Sequence, residues 1–238
     1  MVDSKTIWFR YRFTLDNGRQ STFEVHLDPK TLTIIRPSNP APPPDWTTLA
    51  YSPCDHCSLP AEVRHCPIAV NLSDVVKEFD DVLSYRNAAV VVETHERRYE
   101  KAGSVQDLLF PLLGIYMSGS GCPSMEKFQP LLRHHLPFAT SEETIYRVIT
   151  MYVTAQYMRM QNGLEPDWEL KGLSALYDQV NQVNKDFCRR LNKAANEDAM
   201  VNSVVILDTL GYMVKKTARK TNQYLCRVFA PYLKKPAA

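Results

Sequence analysis

Thr-Ile-Trp-Phe-Arg-Tyr-Arg-Phe-Thr-Leu, residues 6–15, is the stretch on which the fold turns. Ile7, Phe9, Tyr11, Phe13 and Leu15 alternate with Trp8, Arg10, Arg12 and Thr14. A period of two predicts a strand with one face buried and the other in water. Asp16-Asn17-Gly18 follows as a hairpin turn, since Asn and Gly tolerate positive φ. Phe23, Val25 and Leu27 alternate on the return strand. Asp28-Pro29-Lys30 turns the chain again, and Leu32 and Ile34 suggest a third strand, so residues 1–36 read as an antiparallel β meander.

Outward from this element the chain changes character several times. Residues 37–53 form a Pro-rich linker, with Pro37, Pro40, Pro42, Pro43 and Pro44 crowded into its start. Residues 54–103 hold a cysteine segment, a helix predicted over 72–83 from Leu72, Val75, Val76, Phe79, Val82 and Leu83, and a second hairpin over 88–101. Residues 104–217 read as a helical bundle, with helices near 105–117, 125–133, 141–161, 168–194 and 198–217. The clearest apolar seam is Leu170, Leu173, Tyr177, Val180, Asn184, Phe187 and Leu191. Ser104 with Asp107 and Thr140 with Glu143 stand at capping spacing. Residues 218–238 form a basic tail. The expected fold is α+β: an N-terminal meander and a second hairpin packed on a C-terminal helical bundle.

Composition narrows the class. The 238 residues include 45% apolar and 23% charged side chains, as in an ordinary globular protein. Eight glycines are few for a β-barrel or a Gly-rich nucleotide-binding fold, so helix should dominate. A net charge of +2 demands neither nucleic acid nor membrane as partner. The opening Met-Val-Asp-Ser-Lys lacks the apolar core of a secretory signal, and no stretch approaches the length of a membrane span. The expected location is the cytoplasm, where six cysteines point to metal, redox or free thiols rather than disulfides.

Cys54-Asp55-His56-Cys57 is a C-x2-C knuckle, followed after eight residues by His65-Cys66-Pro67. Such a knuckle offers two thiolates from one turn, and tetrahedral zinc needs two more ligands. Cys66 is one. Cys122, in Ser120-Gly121-Cys122-Pro123, is the preferred fourth, with His65 and His56 as alternatives. The expected cofactor is zinc, and an iron–sulfur cluster is the alternative, since Cys66 and Cys122 each precede a proline. The competing readings are unrelated buried cysteines and a redox-active pair. Cys188 and Cys226, in helical segments without a partner pattern, read as small apolar residues.

Three further features stand out. His135, beside His134, could act as general base with Glu142 or Glu143. The simpler reading makes Glu143 the capping partner of Thr140 and Glu142 a first-turn acid. Ser118-Gly119-Ser120-Gly121 lacks both the P-loop lysine and the nucleophile-elbow spacing, so it reads as a loop. Beyond Asp208 the chain has no acidic residue but carries Lys215, Lys216, Arg219, Lys220, Arg227, Lys234 and Lys235. Lys215, Lys216, Arg219 and Lys220 are therefore candidates for nucleic-acid contact, against the plainer reading of a solvated helix end.

Cys54-x2-Cys57, His65-Cys66-Pro67-x-Ala69-x-Asn71-Leu72, Ser120-Gly121-Cys122-Pro123, His135-Leu136-Pro137-Phe138-Ala139 and Glu142-Glu143-Thr144-x-Tyr146-Arg147 together resemble a family of uncharacterised bacterial proteins, a domain of unknown function. The similarity runs from the first strand to about Leu207. The resemblance implies a bacterial cytosolic origin and groups the same four cysteines, but no activity. The function expected is a non-enzymatic, metal-stapled interaction or regulatory protein with a protein partner. The alternatives are a zinc or iron–sulfur enzyme or redox sensor using His135 with Glu142 or Glu143, and nucleic-acid binding through the basic tail.

Overall fold

The computed structural model describes residues 6–38, 40–218 and 223–234. The opening stretch is strand β1, Ile7–Leu15, paired antiparallel with β2, Gln20–Leu27. Gly18 takes φ +84° at the turn between them, which only a residue without Cβ adopts easily. The second hairpin, β3 (Asn87–Glu93) and β4 (Arg98–Ser104), joins the first in one four-stranded sheet of order β2-β1-β3-β4.

Register turns the sequence alternation into two unlike faces. Tyr11 stands opposite Phe23 on one side and Val92 on the other. With Phe9, Phe13, Leu15, Val25, Leu27 and Val90 these residues make one buried face. The other face carries an ionic ladder, in which the Arg10 guanidinium donates to Glu24 at 2.6 Å and Arg12 pairs with Glu93 at 3.1 Å. A pair this exposed contributes little stability, and its value lies in keeping that face wet.

Two elements cover the buried face. Helix α1 (Pro67–Glu78) ends beside the sheet, where Phe79 meets Phe13 edge-on at 5.3 Å and stacks on Phe23 at 6.0 Å. Helix α2 (Val105–Ser118) packs on α1, β3 and β4, and Ser104 caps it by accepting from the Asp107 amide. The later helices are α3 (Pro130–Arg133), α4 (Ser141–Gln161), α5 (Lys171–Ala194), α6 (Ala199–Ala218), α7 (Gln223–Val228) and α8 (Ala230–Leu233). The chain divides into two compact units, one of residues 1–138 with 182–208, the other of 139–181 with 209–238. Helices α5 and α6 each contribute residues to both.

Three local expectations change. Leu32 and Ile34 form no third strand: Leu32 adopts φ +58°, and only an isolated bridge joins Ile34 to Leu27. The Asp28 carboxylate explains this, since it accepts from the Lys30 and Thr31 amides at 2.8 Å and curls the chain into a turn. The helix predicted over 72–83 runs instead from Pro67 to Glu78, with Cys66 as its extended N-cap. Proline at the first helical position needs no amide partner, and Asp80 and Asp81 oppose the dipole at the other end. The helix expected near 125–133 is split into a 3-10 turn, Glu126–Phe128, and the short α3, because Pro130 has no amide to continue the ladder.

Candidate metal centre

All four cysteines of interest belong to the first unit, and three of them sit on the long connection between β2 and β3. The knuckle is a turn closed by the Cys57 amide donating to the Cys54 carbonyl at 3.2 Å. It is held to α5 by the Asp55 amide, which donates to the buried Asp186 carboxylate at 3.0 Å. Arg189 donates to Asp55 at 3.0 Å and also bonds Asp186. Cys66 is 7% exposed, and its amide donates to the Thr47 carbonyl at 2.8 Å.

Cys66 and Cys122 share a local design. Each is followed by proline, and in each case the backbone amides two and three residues on hold the thiol pKa down against burial: Ala69 and Ile68 for Cys66, Ser124 and Met125 for Cys122. An N–H pair aimed at a thiol favours its charged form. The Cys122 turn is closed by the Met125 amide on the Cys122 carbonyl at 2.9 Å, and Ser120 Oγ accepts from the Cys122 amide at 3.1 Å.

The thiols feel one another. Cys54 is pushed up to about 12, mainly by burial and then by the charges of Cys66, Asp186, Cys122 and Cys57. Burial also raises Cys66, opposed by its two amides and by the Arg190 guanidinium. Cys122 is raised by burial, and the charges of Cys66 and Cys57 add to it. The four thiols therefore share an electrostatic neighbourhood. They do not form a ready coordination sphere: among the described residues, no group of three or more His, Cys, Asp or Glu stands where it could hold a metal ion. Cys57 is exposed, Cys54 and Cys122 are half-buried, and Cys66 is buried.

The histidine alternatives stand differently. Thr47 Oγ1 donates to the Pro44 carbonyl at 2.7 Å, so its contact with His65 Nδ1 at 2.8 Å must be accepted from that ring N–H. His65 is thus oriented toward Thr47, in a bridge with Thr48 whose extended backbone sends neighbouring side chains to opposite sides. That separates His65 from the direction of Cys66. His56 is exposed in the knuckle turn.

The catalytic candidates are engaged elsewhere. His135 Nε2 meets the buried Tyr11 hydroxyl at 2.6 Å, and its ring packs edge-on against Phe9 at 5.2 Å. Glu143 closes the capping box, accepting from the Thr140 amide at 2.8 Å while Thr140 Oγ1 accepts from the Glu143 amide at 3.2 Å. Glu142 is exposed in the first turn of α4. Cys188 is half-buried, its thiol raised to about 11 chiefly by burial, and Cys226 is half-buried in α7. Lys215 is paired with Asp178, Lys216 is exposed, and Arg219 and Lys220 lie outside the described residues.

The loop before Cys122 is shaped by two glycines. Gly121 takes φ +85°. A Cβ on Gly119 would stand 3.0 Å from Ile34 Cγ1, 3.2 Å from the Ile115 carbonyl and 3.3 Å from Leu132 Cδ1. Gly119→Ala should therefore cost about 1–3 kcal/mol by overpacking. Urea denaturation reads this, and a variant as stable as the wild type would show that Ile34 simply yields.

Two residues with a part in this centre escape pattern reading. Asp186 and Arg190 are both 2% exposed, although they stand four apart on α5 like a surface ion pair. Arg190 donates to the carbonyls of Trp46 at 2.5 Å, Thr48 at 2.7 Å and Ser52 at 2.6 Å and, among the described residues, to no carboxylate. Their signal was charge set directly beside the apolar seam at Phe187 and Leu191.

No helix of the described residues is long and apolar enough to cross a membrane. No match was found among curated proteins or among solved structures. A family model described as a domain of unknown function, DUF6901, matches residues 9–230. Because that match takes in both the sheet and the helices, the chain belongs to the DUF6901 family.

Proposed function

We propose that the protein is a non-enzymatic, cytosolic interaction or regulatory module in which Cys54, Cys57, Cys66 and Cys122 bind one zinc ion. The observation that carries this reading is the matched pair of Cys-Pro turns, in each of which two following amides favour the charged sulfur, beside a C-x2-C turn whose Cys57 bears on both. Amides so placed serve a thiolate, while burial alone opposes one. A divalent cation supplies the missing charge. A redox pair would need a lowered thiol pKa, and burial pushes Cys54 the other way. Four thiolates around zinc leave no open position for substrate, which suits a staple rather than a catalyst. On this reading the ion draws in Cys54 and Cys57 to join the connection between β2 and β3 to the Cys122 turn.

Metal analysis after anaerobic purification tests it, on the wild type beside Cys54→Ser, Cys66→Ser and Cys122→Ser. About one equivalent of zinc in a colourless wild type, lost in each variant, is expected. A wild type without metal sinks the proposal. Visible absorbance with iron transfers the site to a cluster. Full metal in Cys122→Ser hands the fourth position to His65 or His56.

A further inference from the structure

The second unit exposes far more apolar surface than its size leads one to expect, and its last described stretch does so most openly. From Arg227 to Lys234 every residue is exposed. Tyr232 is 85% exposed, Leu233 64%, Val228 46% and Phe229 36%, and neither α7 nor α8 buries a residue. The run reads Arg-Val-Phe-Ala-Pro-Tyr-Leu-Lys, an apolar centre with a cation at each end. No Asp or Glu follows Asp208, so nothing nearby in sequence offsets these charges.

This combination fits a particular partner. Aromatic and aliphatic side chains flanked by Lys or Arg suit the boundary between headgroups and acyl chains, with the cations at anionic headgroups. Nucleic acid fits less well. Val228, Ala230, Pro231 and Leu233 have no groups for base edges or phosphates, and Phe229 already stacks on Tyr146 at 6.1 Å with ring planes 12° apart. Lys215, the first of the basic residues, is occupied by Asp178.

We propose that residues 227–234 dock the protein reversibly on an anionic lipid surface, with Val228, Tyr232 and Leu233 entering the interface and Arg227 and Lys234 meeting the headgroups. This is independent of the cysteine centre. Tyr232, Leu233 and Lys234 lie beyond the residues matched by the family, so the property is proposed for this chain.

Co-sedimentation of the full chain with vesicles tests it. At low salt the protein should pellet with phosphatidylcholine vesicles containing about 30 mol% phosphatidylglycerol, and far less with phosphatidylcholine alone. Arg227→Gln with Lys234→Gln should weaken binding roughly twenty-five-fold, at about fivefold per cation. Tyr232→Ser with Leu233→Ser should abolish it. All four side chains are exposed, so the circular dichroism spectrum should not change. Absence of binding to the mixed vesicles, or equal binding to neutral ones, overturns the proposal. So does an oligonucleotide affinity, or a concentration-dependent dimer, that the Tyr232 and Leu233 substitutions remove.

Discussion

Arg190→Met should destabilise the first unit by about 3–5 kcal/mol, more than any surface substitution in the chain. The guanidinium is 2% exposed and supplies donors to three carbonyls, those of Trp46, Thr48 and Ser52. Methionine fills much of the volume and offers no donor. Each carbonyl left without a partner away from water costs about 1–3 kcal/mol. The backbone concerned has only two short 3-10 turns, Asp45–Thr47 and Leu49–Tyr51, so few internal hydrogen bonds compensate. Arg190→Lys keeps the charge but loses the planar fork, and should fall between wild type and methionine. Urea denaturation followed by circular dichroism measures both. A loss below about 1 kcal/mol for Arg190→Met would mean that water reaches those carbonyls and that the side chain does not hold the loop.

Arg190 also marks where sequence reading reaches its end. Strand β1 was legible because one sheet face is water, so Arg10 and Arg12 had to alternate with Tyr11 and Phe13. The Thr140–Glu143 capping box was legible because its reciprocal bonds are local. The α5 seam was legible because burial repeats with the helical turn: Leu173, Tyr177, Val180, Phe187 and Leu191 are all buried. Arg190 and Asp186 follow none of these rules. Their partners lie at Trp46 to Asp55, far off in sequence, and nothing in the helix spacing distinguishes a charge facing a folded loop from one facing solvent. Leu32 failed for the opposite reason. Its alternation with Ile34 was strand-like, but the Asp28 side chain captured two amides and left Leu32 in the left-handed region. The cysteines stand between these cases. The spacing of Cys54 and Cys57 announces a shared turn, and the proline after Cys66 and after Cys122 marks two like turns, but that the charge of Cys66 reaches Cys122 is supplied by the fold alone.

Removing the metal from the proposed centre should lower stability by about 4 kcal/mol or more when the ion is present at about a thousand times its dissociation constant. The loss should be local before it is global. The sheet's register rests on its own ladders, and Arg190 holds the carbonyls of Trp46, Thr48 and Ser52. The knuckle keeps its own turn and the contacts of Asp55 with Asp186, Arg189 and Gln182, which are partly exposed. Chelation should therefore open the connection around residues 53–65 first. Arg64, exposed there, becomes the expected early tryptic site. The Arg190 charge opposes the rise of the Cys66 thiol, so the two anchors should be coupled. Arg190→Lys combined with chelation should then differ from the sum of the separate losses by about 0.5–3 kcal/mol. Identical denaturation curves and identical tryptic patterns with and without chelator would show that the thiols hold nothing, whatever their spacing suggests.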